Sequence, residues 1–265
     1  VRAASVAGVR HRLAGCGPED AFAWRAPSRV TDPTAADGDG VVEGTVVLAV
    51  ADGVGSVTGS AAASAAAVVA ACDAASHDLA RLGGPSAAED AAFWPPVFAA
   101  ADAAVGRAGG ATTLVVAVVG ADGRGTVARV GDSTALLLDR GQWIEVWPAD
   151  RDEDGPVSTA TAALPVATGS TPAVTLAGIS MGDGVALVLA TDGVADPLRD
   201  GPTTVAPALA EALADVPSPL GLALLADFSR QGCFDDRTIV GLWSRPARII
   251  PADDRPAGTA VDQPA

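Results

Sequence analysis

Carboxylates recur at the ends of apolar runs in this chain. Val46–Ala51 (VVLAVA) leads straight into Asp52, and the chain then turns through Gly53-Val54-Gly55. Val185–Ala190 (VALVLA) repeats the design, ending in Thr191-Asp192-Gly193 with a second acid at Asp196. Glu19-Asp20 stand just before Ala21-Phe22-Ala23-Trp24, Asp132 lies in the turn Val130-Gly131-Asp132-Ser133, and Asp235-Asp236 lead into the run at Ile239. An acid carried at the tip of a buried strand is costly unless it meets positive charge. Lysine is absent and arginine is sparse near these acids. Such a donor set suits a hard divalent cation, Mg²⁺ or Mn²⁺. Each acid alone is an ordinary turn residue; the recurrence raises the joint reading.

Other chemistries find less support. The two histidines, His11 and His77, form no paired ligand spacing, so zinc is disfavoured. Cys16, Cys72 and Cys233 form neither a CxxC pair nor a CxxxxxR loop, which argues against a disulfide framework and against a cysteine nucleophile. They are expected as buried thiols in a reducing cytoplasm. The net charge is 17 − 32 = −15, which repels nucleic acid and anionic membrane. Residues 1–12 lack the apolar core of a signal peptide, and the alanine-rich run at 60–72 is too short to span a bilayer.

The elements that must position the acids are mostly strands. Short strands are expected over 3–9 and 21–24, and a central one over 41–51. Residues 11–18 read as an irregular turn and 27–40 as a polar loop. Gly59 to about Leu82 reads as a long helix closed by Gly83-Gly84-Pro85. Ser86 and Glu89 fit a capping box for a second helix, which Pro95-Pro96 interrupts before it resumes to about Arg107. An antiparallel meander follows over 112–119, 125–130, 134–138 and 143–147, with hairpin turns at Asp122-Gly123 and Arg140-Gly141. Residues 148–172 read as a flap. Strands at 174–176, 185–190 and 239–243 and helices at 203–215 and 219–229 complete the pattern. Four successive strands without an intervening helix disfavour a doubly wound sheet. The expected class is α+β, a central sandwich of two antiparallel sheets flanked by helices on both sides. One domain is expected over 1–245, with a Pro- and Ala-rich, disordered tail over 246–265.

The ordered set resembles the metal-dependent protein phosphatases of type 2C. The matching elements are Pro18-Glu19-Asp20-Ala21, Ala51-Asp52-Gly53-Val54-Gly55, Gly110-Ala111-Thr112-Thr113-Leu114, Val130-Gly131-Asp132-Ser133, Ala190–Asp196 and Asp235-Asp236-Arg237-Thr238. The resemblance implies a serine/threonine protein phosphatase with two Mn²⁺ or Mg²⁺ ions between the sheets. It implies that Asp52 bridges both ions, that Asp192 and Asp235 complete one shell, and that Glu19 and the Gly53 carbonyl hold the second. Asp132 and Asp196 match positions that take a third, weaker ion. Asp20 would orient metal-bound water, and Asp236 stands where the family often has Asn. The implied chemistry is attack of a metal-bound hydroxide on a phosphomonoester, the substrate being a protein phosphorylated by a serine/threonine kinase in a bacterial cytoplasm.

Two departures matter. Animal members of that family carry a phosphate-binding Arg four residues before the glutamate, where this chain has Gly15; Arg10 and Arg12 are the candidate replacements. Animal members also carry a His after the Asp-Gly, where this chain has Val54. His11 or a metal-bound water is then left to protonate the leaving group, although His11 reads more simply as a loop residue without a role. The alternative function is a weak or inactive relative that acts as a regulatory binding partner.

Overall fold

A computed structural model describes residues 1–26, 44–147, 162–199, 205–228, 230 and 232–244. The expected polar loop, most of the flap and the C-terminal tail lie wholly or partly outside these residues.

Among the described residues, ten strands form two five-stranded antiparallel sheets. The first is built from β1 (Arg2–Val6), β10 (Arg237–Trp243), β9 (Ala186–Ala190), β6 (Thr134–Asp139) and β7 (Gln142–Glu145), in that spatial order. The second runs β2 (Ala21–Arg25), β3 (Val46–Ala51), β4 (Leu114–Val119), β5 (Arg124–Val130) and β8 (Thr175–Ser180). Apolar side chains on both faces of the central strands divide the core into three layers. In β4, Val115, Ala117 and Val119 face the opposite sheet, while Leu114, Val116 and Val118 face outward into a second cluster. This is the period-2 alternation of a strand covered on both sides, and it explains why β4 reads as a continuous apolar run.

Helices cover the outer faces. On the second sheet lie α2 (Ser60–Leu82) and α3 (Trp94–Ala108); α2 buries a stripe of Ala63, Ala67, Ala71, Ala75 and Leu79 at helical spacing. On the first sheet lie α4 (Asp192–Arg199), α5 (Val205–Leu213) and α6 (Pro219–Ala226), through Val194, Ala195, Leu213 and Leu222. The expected sandwich with helices on both sides is therefore the observed architecture.

Four local expectations are corrected. The first strand ends at Val6, and Val9–Ala14 is a short helix, α1, where an irregular turn was expected; α1 buries no residue, so no apolar period betrays it. Pro95-Pro96 does not interrupt a helix but opens α3 at its first positions, where a missing N–H costs nothing, and 3-10 turns at Pro85–Glu89 and Ala91–Phe93 replace the expected capping box. The supposed meander is split: β5 pairs with β4 and β8, while β6 pairs with β7 and β9. The turn at Gly131-Asp132 therefore carries the chain from one sheet to the other. Of the cysteines only Cys72 is fully buried; Cys16 is exposed and Cys233 half-buried, and all three are free thiols.

Candidate metal centre

Strand parity aims the acids. In β3, Leu48 and Val50 face the gap between the sheets, and Asp52, two residues on, continues that face. Asp20 has the same relation to the gap-facing side of β2, whose opposite face carries Ala21 and Ala23 in the outer cluster. From the other sheet, Leu187 and Leu189 of β9 face the gap, followed by Thr191. The Thr191 hydroxyl donates to Asp20 Oδ2 at 2.8 Å and accepts the Thr238 N–H at 3.0 Å. One buried threonine thus links β2, β9 and β10 beside the acids.

Close backbone approach holds the two Asp-Gly turns. A Cβ on Gly53 would stand 2.6 Å from the Glu19 carbonyl oxygen and 2.9 Å from Glu19 Cβ. A Cβ on Gly193 would stand 1.9 Å from the Asp236 carbonyl oxygen. Each glycine lets one acid-bearing turn press on another, Asp52 against Glu19 and Asp192 against Asp236. Asp52 is pinned further by its own backbone: its carbonyl accepts from the Thr113 N–H at 2.9 Å and the Thr112 hydroxyl at 2.7 Å. The Ser64 hydroxyl of α2 donates to the Glu19 carbonyl.

Asp236 is a buried clamp. Its Oδ1 accepts the Gly8 N–H at 2.7 Å, its Oδ2 accepts the Glu19 N–H at 2.6 Å, and His11 Nδ1 lies 2.8 and 2.9 Å from the two oxygens. This carboxylate ties α1 and the Glu19 turn to the start of β10. His11 Nε2 lies 3.9 Å from Glu19 Oε2. The hydrogen bond to Asp236 raises the His11 pKa above its ordinary value, more than burial lowers it.

The electrostatics show how crowded the acids are. The Asp52 carboxyl lies within hydrogen-bonding reach of those of Asp20 and Asp192, and burial, then their charges, push its pKa up to about 11. Burial raises Asp20 to about 7 against the opposing Thr191 hydrogen bond, with the Asp236 charge adding to the rise. Burial, then the charge of Asp235, raises Asp192 to about 6, with Asp132 and Asp196 contributing. The fold therefore gathers Glu19, Asp20, Asp52, Asp192, Asp235, Asp132 and Asp196 into one field. Asp132 and Asp196 lie at its exposed edge, and Asp196 pairs with Arg199 at 3.0 Å.

Among the described residues, no three acid, histidine or cysteine side chains are arranged as a finished metal shell. The fit to divalent cations is one of donor chemistry. Buried carboxyls crowd together with too little positive charge, and the buried Glu19 Oε2 has no hydrogen-bond partner among the described residues. Hard oxygen donors are what Mg²⁺ and Mn²⁺ take.

The candidate phosphate-binding arginines fare differently from the acids. Arg12 pairs with Asp227 at 2.6 Å, half-exposed, and Arg10 is exposed on α1. Sequence reasoning passed over Thr191 and set His11 aside. The partners that make them matter lie 171 and 225 residues away, so no local pattern marks them.

A family model described as Protein phosphatase 2C matches residues 7–221. No curated protein matches the sequence significantly. Among solved structures, the chain is similar to the serine/threonine phosphatase MsPP of Mycobacterium smegmatis in complex with cacodylate, at 19% identity and TM-score 0.57, with 91% of this chain and 96% of that one covered. It is similar to the Mycobacterium tuberculosis serine/threonine phosphatase PstP/Ppp at 20% identity and TM-score 0.53, with 92% and 97% covered. The S. agalactiae serine/threonine phosphatase aligns at 14% identity and TM-score 0.57, with 92% and 98% covered.

Proposed function

The chain belongs to the protein phosphatase 2C family, and from that premise we propose that it is a metal-dependent serine/threonine protein phosphatase. The observation that carries the reading is the convergence of Asp20 and Asp52 from one sheet with Asp192 from the other, in a gap where burial and mutual repulsion raise all three pKa values.

In this reading Asp52, Asp192, Asp235, Glu19 and the Gly53 carbonyl would hold two Mn²⁺ or Mg²⁺ ions. Asp132 and Asp196 would hold a third, weaker ion. When bound, such ions neutralise phosphoryl oxygens and acidify water for in-line attack on the phosphomonoester. The chain's own groups do the rest. Asp20, fixed by the Thr191 hydroxyl and poised near neutrality, orients the attacking water and accepts its proton. His11 is held by Asp236 with its Nε2 near Glu19, and it gives a proton to the departing serine or threonine oxygen. The substrate is a protein phosphorylated by a serine/threonine kinase, encountered in the cytoplasm. No described helix is long and apolar enough to cross a membrane.

The test is phosphate release from a phosphothreonine peptide with Mn²⁺ titrated and EDTA as control, comparing wild type with Asp52→Asn. Turnover that needs Mn²⁺ and vanishes in the folded variant is the expected result. Full activity in Asp52→Asn overturns the assignment. Mn²⁺ binding without turnover moves the chain to the regulatory-partner reading, with Gly15 the first suspect.

A further inference from the structure

A half-buried arginine stands in the same gap, with no carboxylate paired to it among the described residues. Arg129 of β5 faces Val115 of β4, and Val115 faces Val50 of β3, so the three form one row across the sheet. Val115 and Val50 belong to the core between the sheets, and Asp52 follows Val50 on that face. With neighbouring strands ~4.8 Å apart and same-face residues ~6.6 Å apart, the Cα atoms of Arg129 and Asp52 are about 12 Å apart. Strand side chains stand roughly perpendicular to the sheet, so the guanidinium keeps about that spacing from Asp52. About two residues of extended peptide together with the reach of an acidic side chain span it.

The surroundings favour an anion. The Arg129 guanidinium carbon lies 4.5 Å from the ring centroid of Trp147, which fixes it by stacking. Trp147 is 8% exposed, and its Nε1–H has no acceptor among the described residues. Of the two carboxylates that act on it, Asp132 and Glu145, the second is engaged by another cation, Arg199, at 2.8 Å. Among the described residues Arg129 makes no hydrogen bond and no ion pair. Burial, then the Arg199 charge, lowers its pKa, with Asp132 and Glu145 pulling the other way. A guanidinium held by an aromatic face and left without a partner is a ready donor fork for a carboxylate.

We propose that Arg129, stacked on Trp147, is a specificity subsite that binds an acidic side chain of the substrate about two residues from the phosphorylated residue. This rests on the phosphatase reading above and names the substrate class as phosphopeptides with a flanking Glu or Asp. The phosphoryl group sits among the carboxylates that would hold the metals, and the flanking acid lies along the row toward β5. A packing role alone would instead make Arg129 a plug over Trp147 at the end of the sandwich.

The experiment compares phosphothreonine peptides that carry Glu or Gln two residues before or after the phosphothreonine, with Mn²⁺ present. Wild type should favour the Glu peptide at one of these positions by roughly tenfold to a hundredfold in kcat/KM, the range of a charge-assisted hydrogen bond. Arg129→Met keeps an apolar stem on Trp147 and should bring that ratio near one, while Arg129→Lys should keep part of it. A wild-type ratio near one, or a ratio unchanged in Arg129→Met, overturns the subsite, and a lower melting temperature with an unchanged ratio assigns Arg129 to packing. Turnover of p-nitrophenyl phosphate by wild type reports separately on the phosphatase reading. If that turnover is absent, calorimetric binding of the unphosphorylated Glu peptide to wild type and Arg129→Met still decides, because equal binding overturns the subsite.

Discussion

Gly193→Ala places one methyl group where two acid-bearing turns touch. The new Cβ would lie 1.9 Å from the Asp236 carbonyl oxygen, and real Cβ contacts essentially never fall below 3.0 Å. The two backbones must therefore part by at least 3.0 − 1.9 = 1.1 Å. Neither side yields freely. The Thr191 N–H donates to the Thr238 carbonyl at 3.1 Å, while Asp236 holds the Gly8 and Glu19 N–H groups at 2.7 and 2.6 Å. Overpacking costs about 1–3 kcal/mol, and losing one of these charge-assisted bonds adds about 1.5–3 kcal/mol. At about 2–4 °C per kcal/mol for a domain of this size, the melting temperature should fall by about 5–24 °C. Mn²⁺ affinity should fall with it, because Asp192 and Asp235 move apart. Gly106→Ala is the matched control: it lies inside α3 with nothing within 4 Å of a new Cβ. It should stabilise by about 0.5–1 kcal/mol. Calorimetric melting with and without Mn²⁺ reads both variants. A Gly193→Ala protein that melts within about 2 °C of wild type and binds Mn²⁺ equally well would refute the reasoning.

The metal-free protein should lose stability as pH rises. Asp20 and Asp192 hold protons in the fold to about 7 and about 6 against an ordinary 3.8, so their contribution is complete below about pH 4 and is lost through pH 6–7. Melting should be lower at pH 8 than at pH 5, and Mn²⁺ should raise it more at pH 8; a metal-free profile that rises with pH contradicts this. Asp236→Ala leaves two backbone N–H groups and His11 without their partner, for a loss of roughly 2–4 kcal/mol in chemical denaturation. The His11 pKa should fall back toward 6.5 in an NMR titration, because Asp236 is the chief group raising it. Asp196→Asn should reduce turnover less than Asp52→Asn and chiefly at low Mn²⁺, since Asp196 is an exposed edge residue; equal losses at every Mn²⁺ concentration would remove it from the ion-binding set.

The strands that carry the acids were legible because a strand covered on both faces is an unbroken apolar run, and an acid after such a run is conspicuous. That is how Asp52 and Asp192 stood out, and the fold does bring them within reach of each other. What stayed hidden lacks a local period. Helix α1 buries nothing, and its place comes from polar ties, the Asp236 clamp and the Arg12–Asp227 pair. The switch of sheets at Gly131-Asp132 reads as one more hairpin, since a tight turn looks alike whether its strands pair with each other or with others. Arg129 looks like a polar residue on a strand until register sets it beside Val115 and Val50.

Strand β1 pairs with β10, Arg2 opposite Gly241, and both lie in the sheet that also supplies Asp192. On that edge of the sheet β1 therefore has no hydrogen-bonding neighbour until β10, more than 230 residues further along the chain, has been made. Glu19 and His11 likewise wait for Asp236. A nascent chain can pair β2, β3, β4 and β5 early, but it cannot assemble the gap that gathers the acids. Pairings of such long sequence separation are slow to form, and the closing of β1 onto β10 should be the late event in refolding. Synthesis thus carries its own delay: the acids are gathered only when β1 and β10 meet.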